Sequence, residues 1–422
     1  MTQYIYDNCI SILKEELVPA MGCTEPIAIA YCAAKLRETL GEEPDKVTVL
    51  VSGNILKNVK SVVVPNTGGR KGIKTAVAAG IVAGEADKEL EVIASVPEAK
   101  LPEIEKYVNN CEMEVKCLDT PWMLDIFLTG YKGEHKAAVR ISNGHKNIVY
   151  IEKDGEVLFE KEAENSMGDR KSDLSVLSLD NIYEFAETVD LELVVDVLKR
   201  QLDYNTAISA EGFNGNWGAN IGKLMMEIGE GRIELEAAAC AAAGSDARMS
   251  GCEMPVIILS GSGNQGMTAS LPVYRYAKEL GVSEDKMYRA LIISDLVTVF
   301  QKRGIGLLSA YCGAVSAGVG AGAGIAYLNG ADKETIGHTI ENAVAILSGT
   351  ICDGAKPSCA AKIASAVNAG ILGHKMAKSG NNFGAGEGII GNDIEDTVEN
   401  VGILAAKGMK ETDRVILDIM TK

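Results

Sequence analysis

A stretch rich in glycine and alanine, from Arg303 to Ala366, constrains this chain more than any other part of its sequence. It begins RGIGLLSAYCGAVSAGVGAGAGIAYLNG and ends SGTICDGAKPSCAAKIASA. So many small residues predict helices whose backbones approach closely, because a glycine-rich segment needs tight packing to offset its backbone entropy. Cys312, Cys352 and Cys359 lie in this stretch, with few bulky side chains near any of them.

Three thiolates from one region suit an iron–sulfur cluster or zinc, since both are bound by soft ligands. The common zinc patterns do not fit, because only Cys352 and Cys359 are close together and no C-x2-C is present. A cubane held by three thiolates leaves one iron open to act as a Lewis acid toward a substrate. The alternative interpretation is that the three cysteines fill a helical core as small hydrophobic residues.

Length and charge exclude several classes of protein. A chain of 422 residues is long enough for two domains. No apolar run reaches the length of a membrane span, and the acidic, amphipathic N-terminus is unlike a secretory signal. The net charge of −17 argues against a nucleic-acid or anionic-membrane partner. Ten scattered cysteines indicate a reducing compartment, so we expect a cytoplasmic protein.

The pattern along the chain predicts an α+β protein that is mostly helical. Apolar spacing predicts one helix over residues 3–17 and a second from about Thr24 to Leu40. Residues 44–170 contain β-rich runs such as VTVLVSG, SVVVP and HKAAVRISN, interrupted by helices. From residue 171 onward the pattern is helical almost to the end, including helices predicted at 180–202 and 267–280.

Cys23, in the loop MGCTEP, lies just before the second predicted helix. The partial positive charge of a helix N-terminus lowers the pKa of a thiol and raises its thiolate fraction. Such a thiolate serves as a general base or as a nucleophile. The alternative is a buried cysteine of a capping turn.

Two glycine-rich loops precede predicted helices. SGSGNQG, residues 260–266, follows the apolar run PVIIL, and its backbone N–H groups suit an anion such as a substrate carboxylate. VPNTGGRKG leads into another helix and offers Asn66, Thr67 and Arg70 as further substrate contacts. Both loops are equally typical of ordinary helix entry turns, and Arg70 of a solvated surface charge.

Several segments together carry a resemblance to known enzymes. TICDGAKPSC, followed by a helix of small residues, resembles the cluster-binding end of the iron–sulfur L-serine dehydratases, and AYCGAVSAG is placed like their first cluster cysteine. MGCTEPIAIAYCAAK, SGNILKNV, VPNTGGRKG and LSGSGNQGMTASLPV resemble the related L-cysteine desulfidase family. The resemblance extends from about Gly22 to about Gly388.

The resemblance implies an architecture and an activity. Residues 1–43 would pack on a helical catalytic domain formed by residues 171–422, with residues 44–170 inserted as a smaller α+β domain. Cys312, Cys352 and Cys359 would hold an open-site [4Fe-4S] cluster, and Cys23 would be the base. A homo-oligomer and a small amino-acid substrate are expected. The residues implied to bind the substrate carboxylate are Gly263, Asn264, Gln265 and Gly266.

The expected reaction is β-elimination of L-cysteine to hydrogen sulfide, pyruvate and ammonia. The nearest alternative is dehydration of L-serine, but GCTEP replaces the Ser- and His-rich loop of the serine dehydratases and supplies no histidine to protonate hydroxide. Pyridoxal phosphate chemistry is not expected, because Lys223 lies in no Schiff-base context. A cluster-based redox sensor without enzymatic activity is a further alternative, although no partner-binding basic motif is visible.

Overall fold

A computed structural model describes residues 1–22, 24–163, 171–306 and 309–421. It confirms an α+β protein in which helices predominate. The described strands are β1 (Pro19–Met21), β2 (Lys46–Val51), β3 (Glu112–Cys117), β4 (Asp125–Lys132), β5 (His135–Ser142), β6 (Ile148–Lys153), β7 (Glu156–Glu160) and β8 (Pro255–Ile257).

The described α-helices of the first half are α1 (Gln3–Glu16), α2 (Thr24–Leu40), α3 (Gly53–Val59), α4 (Ile73–Ala83), α5 (Leu101–Asn110), α6 (Leu179–Thr188) and α7 (Val195–Asn214). Those that follow are α8 (Ile221–Ile228), α9 (Ile233–Met249), α10 (Gly263–Leu280), α11 (Glu284–Ile305), α12 (Gly313–Leu328), α13 (Lys333–Leu347), α14 (Cys359–Lys378), α15 (Ile394–Ile403) and α16 (Lys410–Thr421).

A mixed six-stranded sheet has the order β3-β2-β4-β5-β6-β7. Only the β2–β3 pair is parallel among its described pairings. Alternation along β2 turns Val47, Val49 and Val51 inward, because successive side chains of a strand point to opposite faces. The strand predicted at SVVVP is wrong: apart from a single bridge between Val63 and Lys71, this segment is a turn between α3 and α4.

The buried residues form two hydrophobic cores. The larger core combines α1 with the helices from α6 onward, and the smaller core combines the sheet with α2 and α4. The predicted division at residue 43 groups both N-terminal helices with the helical domain. In the structure α1 packs in the larger core, and α2 lies in the smaller core, against α4, β4 and β5. The division into domains itself stays a prediction.

Two helix boundaries differ from the pattern-based prediction. The helix predicted at 180–202 is two helices, α6 and α7, separated by an extended Val189 and a 3-10 turn at Leu191–Leu193. α10 begins at Gly263, four residues before the predicted start at 267. The glycine-rich loop therefore supplies the first turn of α10. In that turn the backbone of Gly266 packs so closely that an added Cβ would lie 2.0 Å from the Ile257 carbonyl oxygen.

Over the described ranges, none of the helices combines the length and the apolar character needed to cross a membrane.

Candidate active site

A cavity of about 120 Å³ lies where the two cores meet. Thr24, Glu25 and Asn58 line it from α2 and α3, on the side of the smaller core. The rest of the wall comes from the helical core and includes all three cysteines of the glycine-rich stretch, Cys312, Cys352 and Cys359. The cysteines are separated by up to 47 residues in sequence, so it is the packing of α12, α13 and α14 that brings them to one cavity.

Backbone pairing positions two of the cysteines. Tyr311 and Ile351 form an antiparallel bridge. On either side of it, the N–H of Cys312 donates to the carbonyl of Thr350 at 3.1 Å, and the N–H of Cys352 donates to the carbonyl of Ala310 at 2.6 Å. The segment before α12 is thereby joined to the segment after α13. The third cysteine, Cys359, is the first residue of α14.

The thiols are buried close enough to influence each other. Burial is the main cause that raises the pKa of Cys312 to about 12. The neighbouring Cys352 and Cys359 thiols contribute to this rise. Burial is also the main cause that raises the pKa of Cys359. The raised pKa values keep the Cys312 and Cys359 thiols protonated at neutral pH. A bound metal reverses that preference, because thiolates are its ligands.

The donor set fits an iron–sulfur cluster in its chemistry. Three thiols share one cavity, and thiolates are the usual protein ligands of such clusters. The side chains do not stand in a ligand arrangement, since no group of three or more His, Cys, Asp or Glu in the described residues is placed to hold a metal ion. Cluster binding would therefore require the cysteine side chains to turn toward a common centre.

Lys302, near the end of α11, also lines the cavity. It is 5% exposed, and its ammonium forms no ion pair or hydrogen bond with any residue of the described ranges. Burial lowers the pKa of Lys302 to about 8, although the Cys352, Cys312 and Glu16 charges act in the opposite direction. Its positive charge is thus near two of the three thiols, Cys312 and Cys352.

The first turn of α10 supplies polar groups to the same cavity. Asn264 and Gln265 line it, whereas the predicted Gly263 and Gly266 belong to the same turn but not to the cavity wall. The Gln265 Oε1 atom is buried and has no hydrogen-bond partner in the described structure. Gly313 makes room for this side chain, because a Cβ there would lie 2.7 Å from the Gln265 Cδ atom.

Arg248, in the last turn of α9, is a cavity residue that the sequence analysis missed. It is 4% exposed, and its Nη1 donates to the Asn264 Oδ1 at 3.2 Å. Its Nε is buried without a hydrogen-bond partner. No carboxylate of the described chain pairs with the guanidinium. Arg248 is therefore a second buried cation in the cavity wall without an ion-pair partner in the described chain, whereas a third cation of the wall, Lys362, is partly exposed and pairs with Asp353.

Glu25 supplies a negative charge on the opposite side. Its carboxylate accepts a hydrogen bond from Asn58 Nδ2 at 3.1 Å and one from the Thr24 hydroxyl at 3.3 Å. All three side chains are buried. This contact joins α2 and α3 at the cavity, so the smaller core contributes fixed polar groups to the site.

Other predicted site residues lie elsewhere. Asn66, Thr67 and Arg70 are not part of the cavity wall: the Asn66 amide donates to the Ile93 carbonyl, the Thr67 hydroxyl donates to the Val64 carbonyl, and Arg70 pairs with Glu105. The Thr67 contact lies within the loop, whereas those of Asn66 and Arg70 join the loop to Ile93 and to Glu105 on α5. Cys23 lies outside the described residues, and its predicted role as base stays a prediction; the next residue, Thr24, lines the cavity.

Comparison with known proteins gives a consistent result. A family model described as the serine dehydratase alpha chain matches residues 61–418. The chain is 54% identical over 415 residues to a UPF0597 protein of Desulfitobacterium hafniense, which covers 98% of this chain and 96% of the relative. UPF0597 proteins of Lachnoclostridium phytofermentans and Treponema denticola are 51% and 44% identical, each over 99% of this chain and over 100% and 98% of the respective relative.

Proposed function

The chain belongs to the serine dehydratase alpha-chain family, and from this premise we propose that it is a lyase that removes hydrosulfide from L-cysteine by β-elimination. The observation that carries the proposal is the cavity between the two cores. It combines three thiols with two buried cations and the first turn of a helix. The thiols suit a cluster, and the cations and the helix turn suit an amino-acid carboxylate.

In the proposed site, Cys312, Cys352 and Cys359 would hold a [4Fe-4S] cluster. Such a cluster, when bound, supplies an iron without a protein ligand that acts as a Lewis acid toward the substrate. Lys302 would partly balance the negative charge of the thiolates, because its ammonium is buried near Cys312 and Cys352. The first turn of α10 would hold the substrate carboxylate through its N–H groups and the side chains of Asn264 and Gln265.

Cys23 is the proposed base, a role that rests on the family resemblance. It would accept the Cα proton while the C–H electron pair forms the Cα=Cβ bond and the Cβ–S bond breaks. Hydrosulfide leaves with the bonding pair. The aminoacrylate then tautomerises to an imine, and water converts the imine to pyruvate and ammonia, so the sum is L-cysteine plus water to hydrogen sulfide, pyruvate and ammonia.

The lack of a histidine in the cavity wall supports a thiol leaving group over a hydroxyl group, although the Lys302 ammonium is an acid in the same wall. Hydroxide needs an acid to protonate it as it leaves, whereas hydrosulfide needs less assistance. The four histidines are all in the described ranges, and none of them lines the cavity. His145 is near Glu25, but burial lowers the pKa of this imidazole and disfavours the protonated form that an acid requires. L-Serine dehydration remains the second candidate, because the family bears that name.

Pyruvate release tests the proposal directly. Protein prepared anaerobically and reconstituted with iron and sulfide is given L-cysteine and L-serine in parallel assays. We expect faster pyruvate release from L-cysteine and loss of this activity in air, because a cluster with an open iron is prone to oxidation. Turnover of L-serine alone would make the protein a serine dehydratase, and turnover of neither would contradict the proposal.

The Cys352→Ala variant tests the cluster in the same assay. It should lose both the visible absorbance of the cluster and pyruvate release, since only two of the three ligands remain. Cys117→Ala is the matched control, because Cys117 is an exposed thiol on β3, away from the cavity. A Cys352→Ala protein that was colourless but active would remove the cluster from the mechanism.

A further inference from the structure

We propose that Arg248 binds the α-carboxylate of the amino-acid substrate and so makes the site selective for free amino acids. This inference deepens the proposed function and rests on it for the substrate class. Arg248 is not part of the glycine-rich motifs, and its position in the cavity wall is a result of the packing of α9 against α10.

The charge of Arg248 lacks a partner within the described chain. Its side chain is almost fully buried at 4% exposure, yet no acidic residue of the described ranges forms an ion pair with it. A buried charge is costly unless an opposite charge or several hydrogen bonds compensate it. One hydrogen bond to an amide, from Nη1 to the Asn264 Oδ1, leaves most of the five guanidinium N–H donors available. The Nε is among them, buried and without a partner.

The local packing is built around the guanidinium. Gly263 lies beside it, and a Cβ at that position would come within 2.5 Å of the Arg248 Nε. A residue with a side chain at 263 would therefore displace the guanidinium from its position. Gly263 is also the first residue of α10, whose N-terminus carries partial positive charge and unpaired N–H groups. The unpaired arginine and the helix start thus face the same space, and both favour an anion.

The two buried cations of the cavity, Arg248 and Lys302, have different neighbours. The Lys302 charge interacts with those of Cys312 and Cys352, on the side where the thiols lie. Arg248 instead contacts Asn264, on the side where α10 begins. Arginine presents a planar pair of donors that matches a carboxylate in two parallel hydrogen bonds. Arg248 is therefore the residue suited to the substrate carboxylate, and Lys302 the one suited to the charge of the thiolates.

A pair of ligands that differ only in the carboxylate separates this role from a structural one. L-Alanine has no β leaving group, so it binds without turnover. L-Alaninamide carries a neutral amide in place of the carboxylate. Calorimetry on the reconstituted wild-type protein should show tighter binding of L-alanine. In Arg248→Met the affinity for L-alanine should fall about 10- to 100-fold, as expected for the loss of hydrogen bonds to a charged group. The affinity for L-alaninamide should fall by less than about threefold.

Two further variants complete the design. Arg248→Lys keeps the charge but loses the planar donor pair, and it should bind L-alanine with an affinity between those of the wild type and Arg248→Met. Arg414→Met removes an arginine that is 71% exposed and paired with Glu411, and both affinities should stay at the wild-type value. Circular dichroism checks that each variant is folded.

The outcomes distinguish this inference from the proposed function. Equal losses for both ligands in Arg248→Met and Arg248→Lys would overturn the carboxylate role, as would a wild-type protein that does not prefer L-alanine. Pyruvate release by wild type would still stand in that case. Conversely, selective loss of L-alanine binding in a protein that releases no pyruvate would support the role of Arg248 and contradict the lyase proposal.

Discussion

At the scale of the single residue, Asp295 is a buried acid whose environment disfavours the ionised carboxylate. It lies on α11 with 0% exposure, and its Oδ1 accepts a hydrogen bond from Gln201 Nε2 at 2.9 Å. Its Oδ2 is buried without a hydrogen-bond partner in the described structure. Burial, assisted by the charge of Glu16 and opposed by Gln201, raises the pKa of Asp295 to about 7. The ionised form is therefore destabilising at neutral pH.

The sign of the pH dependence follows from proton linkage. An unfolded Asp has a pKa of about 3.9, so between that value and about 7 the folded protein keeps a proton that the unfolded chain releases. The contribution of Asp295 to stability is fully present below the unfolded pKa and is lost as the pH rises through 7. Asp295→Asn should therefore stabilise the protein, by an amount that increases by about 2 to 3 kcal/mol between pH 5 and pH 8.

Urea unfolding at pH 5, 6.5 and 8 measures this difference. Asp203→Asn is the matched control, since Asp203 lies on the surface and pairs with Lys199 at 2.6 Å. That variant should show no comparable increase in stability with pH. A constant difference between Asp295→Asn and the wild type across the three pH values would mean that Asp295 does not titrate in this range in the folded state.

Individual site residues differed in how far the sequence could predict them. Cys312, Cys352, Asn264 and Gln265 stand in short motifs of small residues, and all of them line the cavity. Arg248 and Lys302 gave no such signal. Each lies in the last turn of a helix, where a basic residue is ordinary because it interacts favourably with the helix dipole. Only packing shows that these cations turn inward.

At the scale of elements, glycine sets the distance between α12 and α14. An added Cβ at Gly318 would lie 2.4 Å from the carbonyl carbon of Ala366, and one at Gly322 would lie 2.6 Å from the carbonyl oxygen of Gly370. The two helices therefore pack with their backbones in contact. This separation matters for the site, because Cys312 immediately precedes α12 and Cys359 begins α14.

Gly318→Ala should lower the free energy of unfolding by about 1 to 3 kcal/mol, the usual result of overpacking a core. It should also reduce the iron bound after reconstitution, since the helices that carry two of the proposed ligands would be pushed apart. Gly349→Ala is the control, because no heavy atom lies within 4 Å of the Cβ that would be added there. Thermal unfolding and iron analysis check both effects. Equal stability of the two variants would contradict this close packing.

The elements were predictable where their period was clear. β2, with its alternating valines, and α1 were found close to their observed bounds. SVVVP has strand-like composition but forms a turn, because tertiary packing outweighed local propensity there. The start of α10 was missed because glycines disfavour a helix, although Gly263 and Gly266 are needed for close approach to neighbouring atoms.

At the scale of the whole molecule, the proposed site depends on how the two cores are joined. The sequence could not show that α2 belongs to the smaller core, because every residue from Thr24 to Ala34 is buried and the helix has no single apolar face. The C-terminal helix α16 makes a second connection, by packing on α3. α3 also carries Asn58, which binds Glu25 at the cavity.

The main polar contact of this connection is the ion pair between Lys57 on α3 and Asp413 on α16, with 2.5 Å between Nζ and Oδ1. The Lys57 side chain is 1% exposed and that of Asp413 17%. Asp413→Ala would leave a buried ammonium without its carboxylate, which typically costs about 3 to 5 kcal/mol. We expect that loss in urea unfolding, together with reduced pyruvate release, since α3 positions Asn58 beside Glu25.

The matched control is Glu411→Ala, which removes a surface partner of Arg414 and should cost less than about 1 kcal/mol. The double variant Lys57→Met with Asp413→Leu removes both charges, and it should recover most of the stability that Asp413→Ala loses, because apolar residues can replace a buried pair. Recovery of stability and pyruvate release together would mean that α16 acts by holding α3 in place. If stability recovered but pyruvate release did not, the charge of Lys57 would influence the cavity directly, in addition to pairing with Asp413.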